Sequence, residues 1–144
     1  MAAIEYERKR TFMGRIPYGE DLLASLTGFA REKGITKGRL QMIGAVQGAV
    51  VGFYDSRSGK YEDMVFDKPM EVLSLTGNIS LKDGEPFVHA HITLGDDKGQ
   101  SFGGHLMAGT VVFAAEFIID EFEGKDLERE YDETTGLALW NIVK

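Results

Sequence analysis

The sequence predicts a single α+β domain, mainly antiparallel sheet with one main helix. Two observations carry this expectation. Only residues 20–33 place apolar side chains at helical spacing. From Arg39 onward, β-branched and aromatic runs alternate with short clusters of Gly, Asp and Ser. Connections of hairpin length favour antiparallel pairing, because parallel neighbours need long crossovers. The chain has 144 residues, 43% of them hydrophobic, which suits one domain spanning 1–144 with its own core.

Residues 4–13 read as a strand, and Ile16-Pro17-Tyr18-Gly19 as a turn. In the helix of residues 20–33, Leu22, Leu23, Leu26, Phe29 and Ala30 form the apolar stripe. Glu20 and Asp21 suit its positive N-terminal end, and Gly34 its C-cap. Strands are then expected at 39–54 (broken by Gly44 and Gly48), 61–66, 70–80, 86–94, 110–121 and 137–143. The run Thr110-Val-Val-Phe-Ala-Ala-Glu-Phe-Ile-Ile is assigned to strand on its β-branched and aromatic content. The expected turns are 55–59, Lys82-Asp83-Gly84, 95–99 and Gly103-Gly104. No internal repeat is evident.

The net charge is −7 and there are no cysteines. Disulfides, thiolate metal sites and cysteine nucleophiles are excluded. The charged N-terminal segment is unlike a signal peptide, and no apolar run spans a bilayer, so the expected location is cytoplasmic. Basic residues are scattered. The densest group, Arg8-Lys9-Arg10, lies beside Glu5 and Glu7 and reads as a solvated strand end rather than a nucleic-acid footprint.

The chemistry concentrates in the three histidines. His89 and His91 lie two apart on a strand, so they share a face with Thr93, while Val88, Ala90, Ile92 and Leu94 share the opposite, apolar face. Imidazoles about 6.6–6.8 Å apart along a strand can lean toward one ion. His105 follows His91 by 14 residues, with a turn between that can return it to the same face. Three neutral imidazoles suit zinc, and also nickel, cobalt or iron(II). Three protein ligands leave a position open, as in catalytic zinc sites.

Glu116 sits mid-strand in an apolar run. It either orients a metal-bound histidine or acts as a general base, or it pairs with Arg10 or Arg15 in a structural role. Asn78 is either a polar residue lining the site or a turn residue at a bulge. No Walker loop, dinucleotide fingerprint or Gly-x-Ser-x-Gly elbow occurs.

Several segments together resemble the PPC domain, the plants-and-prokaryotes conserved domain. They are Pro17-Tyr-Gly-Glu-Asp-Leu22, Gly44-Ala45, Glu71-Val-Leu-Ser-Leu-Thr-Gly-Asn-Ile79, Asp83-Gly84, His89-Ala-His91 with Thr93, and Gly103-Gly-His105-Leu. The match covers about residues 5–122 and leaves 123–144 as a C-terminal extension. The resemblance implies a homotrimer and a glutamate near Glu116 in the late strand. Prokaryotic members usually keep the three histidines and are commonly labelled predicted DNA-binding proteins. Plant members carry AT-hooks, whose Arg-Gly-Arg core is absent here. Of the plant Gly-Arg-Phe-Glu-Ile-Leu segment, only the second half resembles Lys68-Pro-Met-Glu-Val-Leu73. The fold is also similar to that of acetolactate decarboxylase, a zinc lyase with a His-x-His pair and a third histidine.

Three readings follow. The first is a homotrimer binding a divalent metal, zinc before others, that acts on or senses a small molecule, with lyase- or hydrolase-like chemistry if it is an enzyme. The second is a DNA-binding regulatory protein. The third is an assembly module whose metal is structural.

Overall fold

The computed structural model describes residues 2–142. In chain order the elements are β1 (Glu7–Ile16), α1 (Leu22–Lys33), β2 (Gly38–Asp55), β3 (Lys60–Phe66), β4 (Met70–Lys82), β5 (Glu85–Gly95), β6 (Ser101–Leu106), β7 (Val111–Glu123), β8 (Glu128–Asp132) and β9 (Leu137–Trp140). The α+β class stands as expected: one antiparallel-dominated sheet around one helix.

The helix begins where the sequence places its acidic residues. Asp21 is the N-cap, accepting from the Ala24 amide at 2.8 Å, and its other carboxylate oxygen accepts from the Gly109 amide at 2.6 Å. One side chain thus caps the helix and ties it to the loop before β7. Gly34 ends the helix in the left-handed region, at φ 65°. Leu22, Leu26 and Ala30 are fully buried, whereas Leu23 and Phe29 pack at the edge of the core. The stripe lies against the inner face of the sheet, where Val88, Ala90, Ile92 and Leu94 of β5 are buried. Truncating a buried leucine such as Leu26 to alanine costs about 2–5 kcal/mol at sites of this kind.

The strand order is β1-β7-β2-β6-β5-β4-β8-β9, with β3 on β2. β2 also pairs with β4, so β2, β6, β5 and β4 close into a ring. β2 can serve several neighbours because it is long and bent. Sequence breaks expected at Gly44 and Gly48 are instead bulges within one continuous strand, with register shifts between Met42 and Gly44 and between Val46 and Gly48. Gly44 has φ 146°, and a Cβ there would collide with the Ala114 carbonyl. Only glycine lets β7 come this close.

Three further expectations are corrected. Gly103 and Gly104 are not a turn; they lie inside β6. A Cβ on Gly103 would sit 2.6 Å from the Ile92 carbonyl, so this glycine serves close strand approach rather than chain reversal. The charged segment Glu128–Asp132 forms β8, which the sequence did not suggest. It pairs parallel to β4, the long crossover between them making this possible. The last expected strand, 137–143, is β9 over Leu137–Trp140; Val143 lies outside the described residues.

Candidate metal centre

Strand register brings the three histidines together. His91 is directly opposite His105 across β5 and β6, and His89 lies two residues along the same face of β5. Ring centroids are 5.4 Å apart for His89–His91, 5.0 Å for His89–His105 and 5.5 Å for His91–His105. One ligand atom from each residue lies within 4.8 Å of the other two. Metal–nitrogen bonds are about 2.0–2.1 Å, so modest ring rotation would close all three on one ion.

Two observations test whether the residues fit a metal. The Nδ1 atom of His105 is buried and has no hydrogen-bond partner, an orphan that coordination or a ligand would satisfy. The site also favours the neutral ring at His89 and His105, the form that ligates. Burial, then the Arg129 charge, then the neighbouring histidines push His89 down to about 4. Burial, then His91 and Arg129, lower His105.

The surroundings are polar on one side and aromatic on the other. Asn78 and Thr76 of β4 stand opposite His89 and His91. Asn78 is therefore a site-lining residue; the β4 bulge falls between Val72 and Ser74 instead. The Tyr61 ring packs on His105 at 4.9 Å, in space left by Gly52, where a Cβ would come within 2.8 Å of that ring.

Arg129 of β8 is the residue bordering the histidines that sequence reading missed. It is only 8% exposed. Its Nε donates to Ser80 Oγ at 2.8 Å, one terminal nitrogen donates to Asn78 Oδ1 at 2.8 Å, and the other donates to the Ala138 carbonyl at 3.0 Å. The nitrogen bound to Asn78 also lies 3.5 Å from His89 Nδ1. The guanidinium stacks between Phe87 and Trp140, at 5.2 Å and 5.5 Å from their centroids. No motif marks it, because its partners come from β4, β5 and β9.

Glu116 is not part of this cluster. It is exposed and stands opposite Arg15 on β1 and Ile43 on β2, with β2 and β4 between it and β5. The need for a buried partner does not arise. It lines an open groove of about 800 Å³ with Met13, Ile43, Leu73 and Ile118. None of the three histidines lines that groove; Thr76, opposite His91 across the strands, does.

The pattern of the Plants and Prokaryotes Conserved (PCC) domain matches residues 3–123. The chain belongs to this family. Solved structures agree over nearly the whole length. A metal-containing protein of Archaeoglobus fulgidus is 43% identical, with TM-score 0.92 over 97% of this chain and 99% of that one. A PPC protein of Pyrococcus horikoshii is 39% identical, with TM-score 0.93 over 100% and 99%. A proposed DNA-binding protein of Bacteroides thetaiotaomicron is 28% identical, with TM-score 0.86 over 95% and 97%. Among curated proteins, the bifunctional protein GlmU of Synechococcus sp. (strain JA-3-3Ab) is 29% identical over 137 residues, 94% of this chain. The chain spans about a fifth of that relative's length, 21%. Arg129 lies beyond the residues matched by the family pattern, 3–123.

Proposed function

We propose that this chain is a metal-binding PPC protein that holds one divalent ion, zinc before others, on His89, His91 and His105, and that acts on or senses a small molecule there. The convergence of three imidazoles on one sheet face is the observation that carries the reading. The description of the Archaeoglobus relative as metal-containing supports it. When bound, such an ion supplies Lewis-acid chemistry toward an oxygen-bearing ligand. The chain's own residues position the rings, supply Asn78 and Thr76 beside them, and hold the positive charge of Arg129 next to His89. Within one protomer Glu116 stands outside the histidine cluster, opposite Arg15 and Ile43. A homotrimer is part of the proposal: Met13, Ile43 and Leu73 are 79%, 60% and 52% exposed along one groove, a strip of apolar side chains suited to burial against another copy. So is a cytoplasmic location, which suits a chain without cysteine.

DNA binding is the reading suggested by the descriptions of some relatives. The charge of −7 opposes it, since phosphate contacts need clustered cations. Elemental analysis of untagged protein tests the main reading. About one ion per chain is expected, falling to background in His91→Ala. Equal metal in both proteins would sink the three-histidine site. Sedimentation of the same sample, with Ile43→Arg beside it, reads the trimer and its dependence on the groove.

A further inference from the structure

The buried charges of this fold are treated unequally. Asp120 and Glu121 each contact basic side chains. Arg129 contacts only neutral groups: a hydroxyl, an amide oxygen, a carbonyl and two aromatic faces. Among the described residues no carboxylate pairs with it. This occurs in a chain with 23 acidic residues, where a partner would have been easy to supply. A desolvated cation without a counter-charge is costly, and such groups ordinarily pair.

The position of this charge gives it meaning. A guanidinium has five N–H donors, and three are committed to Ser80, Asn78 and Ala138. The nitrogen that donates to Asn78 also lies 3.5 Å from His89 Nδ1, so the guanidinium borders the histidines directly. The group of ligating side chains there consists of His89, His91 and His105, with no carboxylate among them. A divalent ion held by imidazoles, which bring no negative charge, would therefore add two positive charges beside one already uncompensated. The indole N–H of Trp140, stacked on Arg129, is a further buried donor without an acceptor.

We infer that the three-histidine site is built for an anionic oxygen ligand, a carboxylate or phosphate of a small molecule, whose charge Arg129 neutralises while the ligand occupies the open metal position. This rests on the metal reading above. Arg129 then selects the ligand by charge and orients it through the hydrogen-bonded frame of Asn78 and Ser80. Neutral oxygen ligands leave the cation unmatched and bind less tightly.

The test uses cobalt(II)- and zinc-loaded protein with acetate and inorganic phosphate as probes. Metal content is measured first, so failure of the metal site is seen separately and removes this inference with it. In the cobalt protein, the anion is titrated against the visible spectrum. Arg129→Gln keeps polar contacts to Ser80 and Asn78 without the charge, and Arg129→Lys keeps the charge. The expected result is full metal content in all three proteins, with anion affinity about tenfold or more lower in Arg129→Gln and largely restored in Arg129→Lys. A response to acetate alone assigns a carboxylate ligand, and one to phosphate alone assigns a phosphate ligand. Metal-loaded wild-type protein that ignores both anions, or Arg129→Gln with unchanged affinity, overturns the inference. Should Arg129→Gln fail to fold, nitrogen-15 spectra of zinc-loaded wild type decide: the Arg129 side-chain signals shift on anion addition, or the inference falls.

Discussion

The two flanks of the sheet handle buried charge in opposite ways. On the β1–β7 flank, Asp120 accepts from Thr11 at 2.6 Å and from Arg39 at 2.9 Å, and Arg8 approaches at 3.8 Å. Glu121 accepts from Arg10, with Lys9 at 3.5 Å. These carboxylates lie beneath overhanging basic side chains, shielded from direct water contact but close to the surface. On the β4–β5–β8 flank, among the described residues, the buried Arg129 has no carboxylate partner and the group of three imidazoles includes no acid. The first flank is electrostatically complete and reads as structure. The second is incomplete within the described residues, and incompleteness beside a ligand-competent cluster reads as function.

Removing one charge from each flank gives the sharpest contrast. Asp120→Ala strands Thr11 and Arg39 without their shared acceptor and should cost about 2 kcal/mol in urea unfolding. Arg129→Met should cost metal-free protein less than about 1 kcal/mol, because relief of an unpaired buried cation offsets the hydrogen bonds lost. A larger loss for Arg129→Met than for Asp120→Ala would show that the second flank is structural after all.

Acid separates the flanks by pH window. His89 is held down to about 4 from its ordinary 6.5, so the unfolded chain takes up the proton first. Its contribution to metal-free protein is present above about 6.5 and is lost as pH falls toward about 4. Asp120 is lowered mainly by the Thr11 and Arg39 hydrogen bonds, and Glu121 mainly by Arg10. Their contributions are present above the ordinary carboxylate range and are lost only at lower pH, through their depressed values. Urea midpoints followed against pH should therefore fall in two stages. His89→Asn should flatten the upper stage and Asp120→Asn the lower; a single stage unaffected by His89→Asn would contradict the assignment.

The smallest effect is expected at Glu116. Exposed and remote from the rings, Glu116→Gln should leave metal content and monomer stability unchanged within about 0.5 kcal/mol. Loss of metal in this variant would place the carboxylate beside the histidines of another copy in the assembly.

Local pattern made much of this legible. The helix is marked by Asp21, the Leu22–Leu26–Ala30 stripe and Gly34, all within one segment. The shared face of His89 and His91 follows from strand alternation. β8 was not legible, since Glu128–Asp132 carries four charged residues and acquires its pairing from β4, far away in sequence. Gly103-Gly104 was misread because the same residue that permits a turn also permits close strand packing.

By itself, then, the sequence determined the α+β class, the helix, the alternation that opposes two histidines to an apolar face, and the candidate trio. Tertiary structure alone decided that His105 stands opposite His91, that Glu116 stays apart, and that Arg129 arrives unpaired beside His89. The reason is one of range. Periodicity and caps are written in neighbouring residues, whereas register across strands and the company of a buried charge depend on how distant segments pack.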